Sequence, residues 1–329
     1  MNNISLIFLI LNIGCIGYQG SKDKLNEQQI LEIGKKYSEW FYVSKLDSLS
    51  NRILDRNYKL SDLKNFRKKV QTELGNELDI LNEQYGSEPW QYYYVRYSRF
   101  ENSPQPVRTL FTFDDNKIYQ FSVESLPLEA PTRFLDYKVK TKLFFPFKDE
   151  WFVAWGGRNI NENQHTISKE QRFAYDLLIR KNGKTFTGTG NSNQDYYCYN
   201  KAVISPGSGI IIEIVNSVDD NKPGQMSKIH GNRVVIDHRN GEYSILAHFK
   251  KGSIVVKVQD SVVAGQLLGF TGNSGHSSEP HIHYHLQNSP DIDNGEGLPI
   301  KFESYFSNGE YIEFGEPIIG ERVSVGIQP

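Results

Sequence analysis

Residues 272–287 read G-N-S-G-H-S-S-E-P-H-I-H-Y-H-L-Q, and no other stretch constrains the fold as strongly. His281, His283 and His285 alternate with Ile282, Tyr284 and Leu286, which is the period of a β-strand. One face of that strand then carries imidazoles, and the other carries an apolar row to be packed. Three of the chain's eight histidines fall within five residues, so a surface strand that happens to carry histidine is the poorer account. A strand built this way is a rigid mount for a metal and a base. Neutral imidazole is the commonest zinc ligand, and its ordinary pKa suits proton transfer.

The chain has 329 residues, enough for two domains with separate cores. A formal charge of −2 leaves no electrostatic footprint for nucleic acid or an anionic membrane surface. An aromatic content of 13% fits β-rich structure or a sugar-facing cleft and does not separate the two. Residues 4–13 form an apolar run too short to span a bilayer and suited to a signal-peptide core. Gly14-Cys15 follows at once and resembles the lipobox of bacterial lipoproteins, which implies that Cys15 is lipidated and becomes the mature N-terminus. The expected localisation is therefore export to the cell envelope, with membrane contact only through that anchor. Cys198 is the only other cysteine and reads as a small packed residue beside Tyr196, Tyr197 and Tyr199.

Residues 1–24 are thus a leader and tether. Ile30, Ile33, Tyr37, Trp40 and Phe41 follow helical spacing, as do Leu63, Phe66, Val70 and Leu74, with Ser61 as the N-cap of the second helix. Residues 91–100 read as a strand. Phe111 and Phe113 face Tyr119, Phe121 and Val123 across a turn at 114–117, which predicts a hairpin. A small α+β accessory domain over residues 25–128 follows, and its order of elements resembles the cone-shaped, nuclear-transport-factor-like domains. No catalytic constellation lies in it, so its expected role is spacing or substrate positioning.

Pro127 and Pro131 mark a boundary, with a linker over residues 129–144. Beyond it, residues 143–147, 151–155, 177–180, 203–215, 233–238, 243–248, 254–258 and 266–271 read as strands, and Asn240-Gly241 reads as a type I′ turn. Strand-turn units with almost no helical period predict an all-β, antiparallel domain over residues 145–329.

Several motifs occur there in order: Q-R-F-A-Y-D-L ending around Asp176, V-I-S-P-G-S-G-I at 203–210, V-V-I-D-H-R-N-G at 234–241, Y-S-I-L-A-H-F at 243–249, V-V-A-G-Q-L-L-G at 262–269 and S-E-P-H-I-H-Y. This succession resembles the lysostaphin/LytM-type zinc metallopeptidases, which cut peptide bonds in bacterial peptidoglycan, over residues 145–300. The resemblance implies a small antiparallel β core of lipoyl-like hybrid type. It implies Asp176 and His283 as ligands of a zinc ion (Zn2+), and His248 and His281 as catalytic histidines. Such a zinc would activate water, and the two histidines would orient it, stabilise the oxyanion and protonate the leaving amine.

The family's other ligand lies four residues before the aspartate, where this chain has Arg172, a guanidinium that cannot ligate. His165, in N-E-N-Q-H, is the expected replacement, with Glu162, Glu170 and His230 as alternatives. His276 and His285 are placed near the cleft, His285 as a partner of the inferred ligand His283. His238 is read as an exposed turn residue. The implied function is an exported zinc endopeptidase acting on the peptide of peptidoglycan. The alternative is a metal-free, degenerate domain that binds wall peptide or activates a partner amidase. A lipoyl-like carrier is disfavoured, because no lysine stands at a suitable turn tip.

Lipidation at Cys15 predicts that intact-mass measurement of membrane-extracted protein finds a species beginning at Cys15 and carrying acyl chains, since several chains give the stable anchoring that one cannot. A mature species that begins elsewhere without lipid mass overturns the assignment.

Overall fold

A computed structural model describes residues 25–43, 45–54, 58–88, 91–114 and 117–325. The expected leader, Cys15 and the tether lie outside these residues. The chain divides into two compact units, Met1–Leu128 and Glu129–Pro329.

The first unit packs helices on an antiparallel sheet. Helix α1 (Glu27–Tyr42) opens on a reciprocal cap: Asn26 Oδ1 accepts from Gln29 N, and Gln29 Oε1 accepts from Asn26 N, both at 2.9 Å. Gly34 lies inside this helix because a Cβ there would fall 2.2 Å from Cγ of the buried Tyr94. After α2 (Leu46–Ser50) comes α3 (Leu60–Leu74). Ser61 is not its N-cap. The N-cap is Lys59, two residues earlier, and the Asp62 carboxylate accepts from Lys59 N instead. Strands β1 (Glu77–Glu88), β2 (Gln91–Phe100), β3 (Ser103–Phe113) and β4 (Ile118–Ser125) form a sheet in sequence order. Phe41 and Phe66 pack on Phe121, with centroids 4.8 and 5.6 Å away, and Phe111 stacks on the same ring. The α+β reading holds.

The second unit is antiparallel β. Its strands are β5 (Glu150–Trp155), β6 (Tyr175–Leu178), β7 (Ala202–Ile204), β8 (Gly209–Val215), β9 (Asn232–Asp237), β10 (Tyr243–Phe249), β11 (Ser261–Val262), β12 (Leu267–Phe270), β13 (Ile282–Gln287), β14 (Gly297–Leu298), β15 (Phe302–Ser307), β16 (Glu310–Gly315) and β17 (Arg322–Val325). Eleven form one sheet in the order β11-β8-β9-β10-β13-β6-β5-β17-β15-β16, with β14 paired to β13; β7 and β12 form a separate pair. Strand β13 is buried along its whole length. Ile282, Tyr284 and Leu286 enter the core with Leu177, Ile236 and Leu246, which leaves the other face to the histidines.

Several expected strands differ. Residues 143–147 form only a bridge from Leu143 to Phe302, because Pro146 has no N–H for a ladder; Phe145 and Phe147 instead pack on Phe302 and Trp151. Residues 254–258 bury Ile254 and Val256 but form no ladder. The run 203–215 is two strands, interrupted around Pro206-Gly207. Strands β15–β17 had no counterpart in the pattern reading. The turn between β9 and β10 is not type I′ at Asn240-Gly241: Arg239 and Gly241 are the left-handed residues, at φ 62° and 86°. His238 is buried rather than exposed, with Nδ1 2.7 Å from Ser208 O and Nε2 2.7 Å from Ser244 Oγ.

The segment expected to be a linker is fastened to this sheet. Fully buried Glu242 accepts from Tyr137 Oη at 2.9 Å, Lys140 N at 2.7 Å and Thr141 N at 2.8 Å, and from the Thr141 hydroxyl. Burial alone would raise its carboxyl pKa, yet these donors together hold it below the usual glutamate value. A depressed folded-state pKa contributes stability that is present above the unfolded value, about 4.3, and is lost as pH falls below it. Glu242→Gln is therefore expected to lower unfolding stability by about 2–3 kcal/mol at neutral pH. Urea titrations of the two proteins should converge as pH falls below about 4.

Candidate metal centre

The centre begins with strand register. Strand β13 pairs His283 with Asp176 on β6 and with Ala247 on β10. Directly opposed residues share a face, so the Asp176 carboxylate meets the His283 ring, Oδ1 to Nδ1 at 2.9 Å. His283 Nε2 lies 3.0 Å from His285 Nδ1, two residues along the same face. His285 is buried, and its Nε2 makes no hydrogen bond of good geometry among the described residues.

His165 reaches this point from a short 3-10 turn, Gln164–Ile167, rather than from a strand. Fully buried Asn163 sets its orientation. The amide nitrogen of Asn163 donates to Gly157 O at 3.1 Å and Ala174 O at 2.9 Å, so its oxygen is the atom that faces His165 Nδ1 at 2.9 Å. His165 Nδ1 must then carry the proton in the neutral ring, and Nε2 is bare, 3.4 Å from Asp176 Oδ2. Burial lowers the pKa of His165 to about 4 even though the Asp176 charge opposes the shift, so the ring is neutral at ordinary pH. Ligand atoms of His165, Asp176 and His283 lie within 4.8 Å of one another. Two imidazoles, one carboxylate and a nitrogen held bare form a donor set that suits zinc, whose tetrahedral ligands stand about 3.4 Å apart at bond lengths near 2.1 Å.

Two further histidines flank the set. His281 enters just before β13. Its Nδ1 donates to Glu279 O at 2.8 Å, and its Nε2 lies 3.4 Å from Asp176 Oδ1. Burial disfavours its charged form, but Asp176 and Glu279 together outweigh burial and raise its pKa. His248 lies beside it, with ring centroids 4.6 Å apart. Ile245 and Ala247 line the cleft, so strict alternation would send His248 into the core. A register shift between Ala247 and Phe249 and a left-handed backbone at His248, φ 66°, turn its ring into the cleft instead. Its Nδ1 donates to Ser274 O at 2.8 Å, which leaves Nε2 bare. Burial, then His281 and His283, push its pKa well below the ordinary histidine value. Gly231 permits this arrangement, because a Cβ there would stand 2.3 Å from Ser274 O.

These groups line a cleft of about 850 Å³. His276 is exposed at its edge and is not one of the three converging donors found among the described residues. His230 lines the cleft 3.0 Å from Asp293, and Glu170 binds Ser168, so neither joins the three donors. Glu162 accepts from Arg158 N and is also elsewhere. Asn163 and Ser274 orient His165 and His248 without any motif of their own. The one available signal was the N-x-H spacing, since Asn163 Oδ1 also caps the turn by accepting from His165 N at 3.1 Å.

Residues 192–296 match Peptidase family M23, a span that takes in His248, His281, His283 and His285 but starts after His165 and Asp176. The chain is 40% identical over 55 residues to the DD-carboxypeptidase/endopeptidase Mpg of Neisseria meningitidis, covering 17% of this chain and 12% of the relative. It is 43% identical over 56 residues to the peptidoglycan DD-endopeptidase ShyA of Vibrio cholerae, covering 17% and 13%. The match thus spans about an eighth of the length of these curated relatives. Among solved structures, the catalytic domain of lysostaphin from Staphylococcus simulans is similar at 20% identity and a TM-score of 0.28, over 45% of this chain and 88% of that one. The catalytic domain of the prophage-encoded M23 protein EnpA from Enterococcus faecalis gives 20% identity and a TM-score of 0.30, over 49% and 95%.

The backbone at His248 can be tested apart from chemistry. Asparagine tolerates the left-handed region and a β-branched residue does not, so His248→Val should be less stable than His248→Asn by about 1–3 kcal/mol in urea denaturation. Equal stability would show that the left-handed turn exerts no strain.

Proposed function

We propose that the second unit, which carries a Peptidase family M23 domain, is a zinc endopeptidase acting on the peptide part of bacterial peptidoglycan. The observation that carries this reading is the close convergence of His165, Asp176 and His283 beside two histidines oriented by backbone carbonyls. The Neisseria and Vibrio relatives, an endopeptidase and a peptidoglycan endopeptidase by name, supply the substrate class.

His165, Asp176 and His283 would hold the zinc, with His165 in the place that the resemblance gives to a histidine at Arg172. Bound there, zinc polarises a carbonyl and brings the pKa of a coordinated water near neutrality. With zinc on the His283 nitrogen that faces Asp176, the other nitrogen, 3.0 Å from His285 Nδ1, would carry the proton and donate to His285, which would fix the ring orientation. His248, neutral and with Nδ1 committed to Ser274, offers Nε2 as acceptor for the proton of the attacking water and can pass it to the leaving amine. His281, whose charged form Asp176 favours, presents a donor to the carbonyl oxygen as negative charge develops there. Export of the chain and its lipid attachment at Cys15 complete the proposal, since the substrate lies outside the cytoplasm.

Purified protein should contain one zinc per chain. His165→Ala, Asp176→Ala and His283→Ala should each remove it. His248→Ala and His281→Ala should keep it while wall-peptide hydrolysis falls by roughly 100-fold or more. Elemental analysis alongside turbidity or muropeptide assays decides the roles: zinc loss in the last two variants reassigns them as ligands, and zinc retention in His165→Ala removes that residue from the set. A wild-type protein that binds no zinc returns the domain to the degenerate, wall-binding reading.

A further inference from the structure

We infer that Arg172 and Glu129 are positioning residues for His165, forming a clamp around a buried guanidinium that holds its turn in place and thereby sets the affinity of the site for zinc. This rests on the reading of His165 as a metal ligand.

The turn Gln164–Ile167 is four residues long and cannot hold itself as an isolated helix could. Its frame comes from outside. Arg172 is only 5% exposed. Its Nη1 donates to Thr166 O at 3.1 Å and to Ala130 O at 2.5 Å, and its Nη2 pairs with Glu129 Oε2 at 2.7 Å. Thr166, the residue after His165, also accepts from Ala130 N at 2.7 Å. The second Glu129 oxygen accepts from Ile160 N at 2.7 Å, which ties in the chain just before Asn163. One guanidinium and one carboxylate therefore secure both approaches to the His165 turn.

Neither charge is replaceable by a neutral group without loss. A buried guanidinium stripped of its carboxylate keeps the desolvation cost of burial and loses the compensation. Nor can a lysine reproduce the fork, because it lacks the planar, multiply donating head that reaches Thr166, Ala130 and Glu129 at once. Arg172 occupies the position where the resemblance expects a ligand, so the residue in the ligand's usual place secures the turn of its substitute. Glu129 and Ala130 open the second unit, well upstream of the span 192–296. The segment expected to be a linker is thus part of the frame of the site.

The test uses the full chain, with the zinc dissociation constant measured by chelator competition and the unfolding midpoint of each metal-free protein. Glu129→Gln and Arg172→Lys should each weaken zinc binding by about 10–100-fold, the usual effect of losing a group that orients a metal ligand. Glu242→Gln, which removes a buried carboxylate unconnected to the His165 turn, should lower the midpoint and leave zinc affinity unchanged. If Arg172→Lys fails to fold, Glu129→Gln decides alone, because it keeps the guanidinium and the side-chain shape. Wild-type zinc affinity in the clamp variants overturns the inference. An equal loss in Glu242→Gln also overturns it, by making the effect one of general destabilisation. His165→Ala is measured in parallel. If it keeps wild-type affinity, the ligand assignment itself has failed; if it loses zinc while the clamp variants do not, only the clamp has failed.

Discussion

A carboxylate in the middle of a buried sheet is tolerable only when donors surround it, and the second unit is arranged around that requirement at Asp176. Burial would drive its pKa up, but the neighbouring imidazoles, His281 and His283 by hydrogen bonds among them, reverse the shift and hold it well below the ordinary aspartate value. The imidazoles around it come from different parts of the chain. Strand β13 supplies His283 by register, the entry to that strand supplies His281, and a turn upstream of β6 supplies His165. Moving Asp176 by one residue would turn it to the opposite face and uncouple all three.

The histidines around Asp176 are placed by unlike backbone devices. His283 and His285 need only strand alternation. His248 needs a bulge and a left-handed residue, because regular alternation would bury it in the core. His165 needs a short turn capped by Asn163 and clamped by Arg172. The acceptors that fix ring orientation are mostly backbone carbonyls or an amide oxygen, at Ser274, Glu279 and Asn163. Those acceptors cannot titrate, so the tautomers of His248 and His165 are set by groups whose charge does not change with pH.

This division explains what was legible in the sequence. The alternation of His281 to Leu286 gave the strand and its two faces directly, and apolar spacing gave α1 and α3, because both patterns are local and period-specific. The strand carrying Asp176 was read two residues late, since Tyr175-Asp176 does not look apolar until its partner is known. Residues 143–147 and 254–258 carry strand-like apolar patterns yet form no ladder, a distinction that periodicity cannot make. His238 looked like a turn residue because its partners, Ser208 and Ser244, come from neighbouring strands. Arg172 was recognisable as a non-ligand, yet its role depends on Glu129 and Ala130, which the chain brings close only after folding. His165 could be nominated from its neighbourhood, whereas the tautomer that bares its Nε2 follows only from the two carbonyls that hold the Asn163 amide.

Strand β13 stands deep within an eleven-stranded sheet, with four strands on the β10 side and five on the β6 side along the main path. Its amides can exchange with solvent only through openings that part it from β10 or β6, and these are among the rarest fluctuations a sheet undergoes. The imidazoles that face the cleft therefore ride on the stiffest part of the unit. On the proposed peptidase reading, accommodation of differently shaped peptides would fall to the cleft wall around Met226 and Ile229, two exposed side chains outside any strand. Rigidity and adaptability are thus assigned to different stretches of chain, and the rim can vary in sequence without disturbing the arrangement of the histidines.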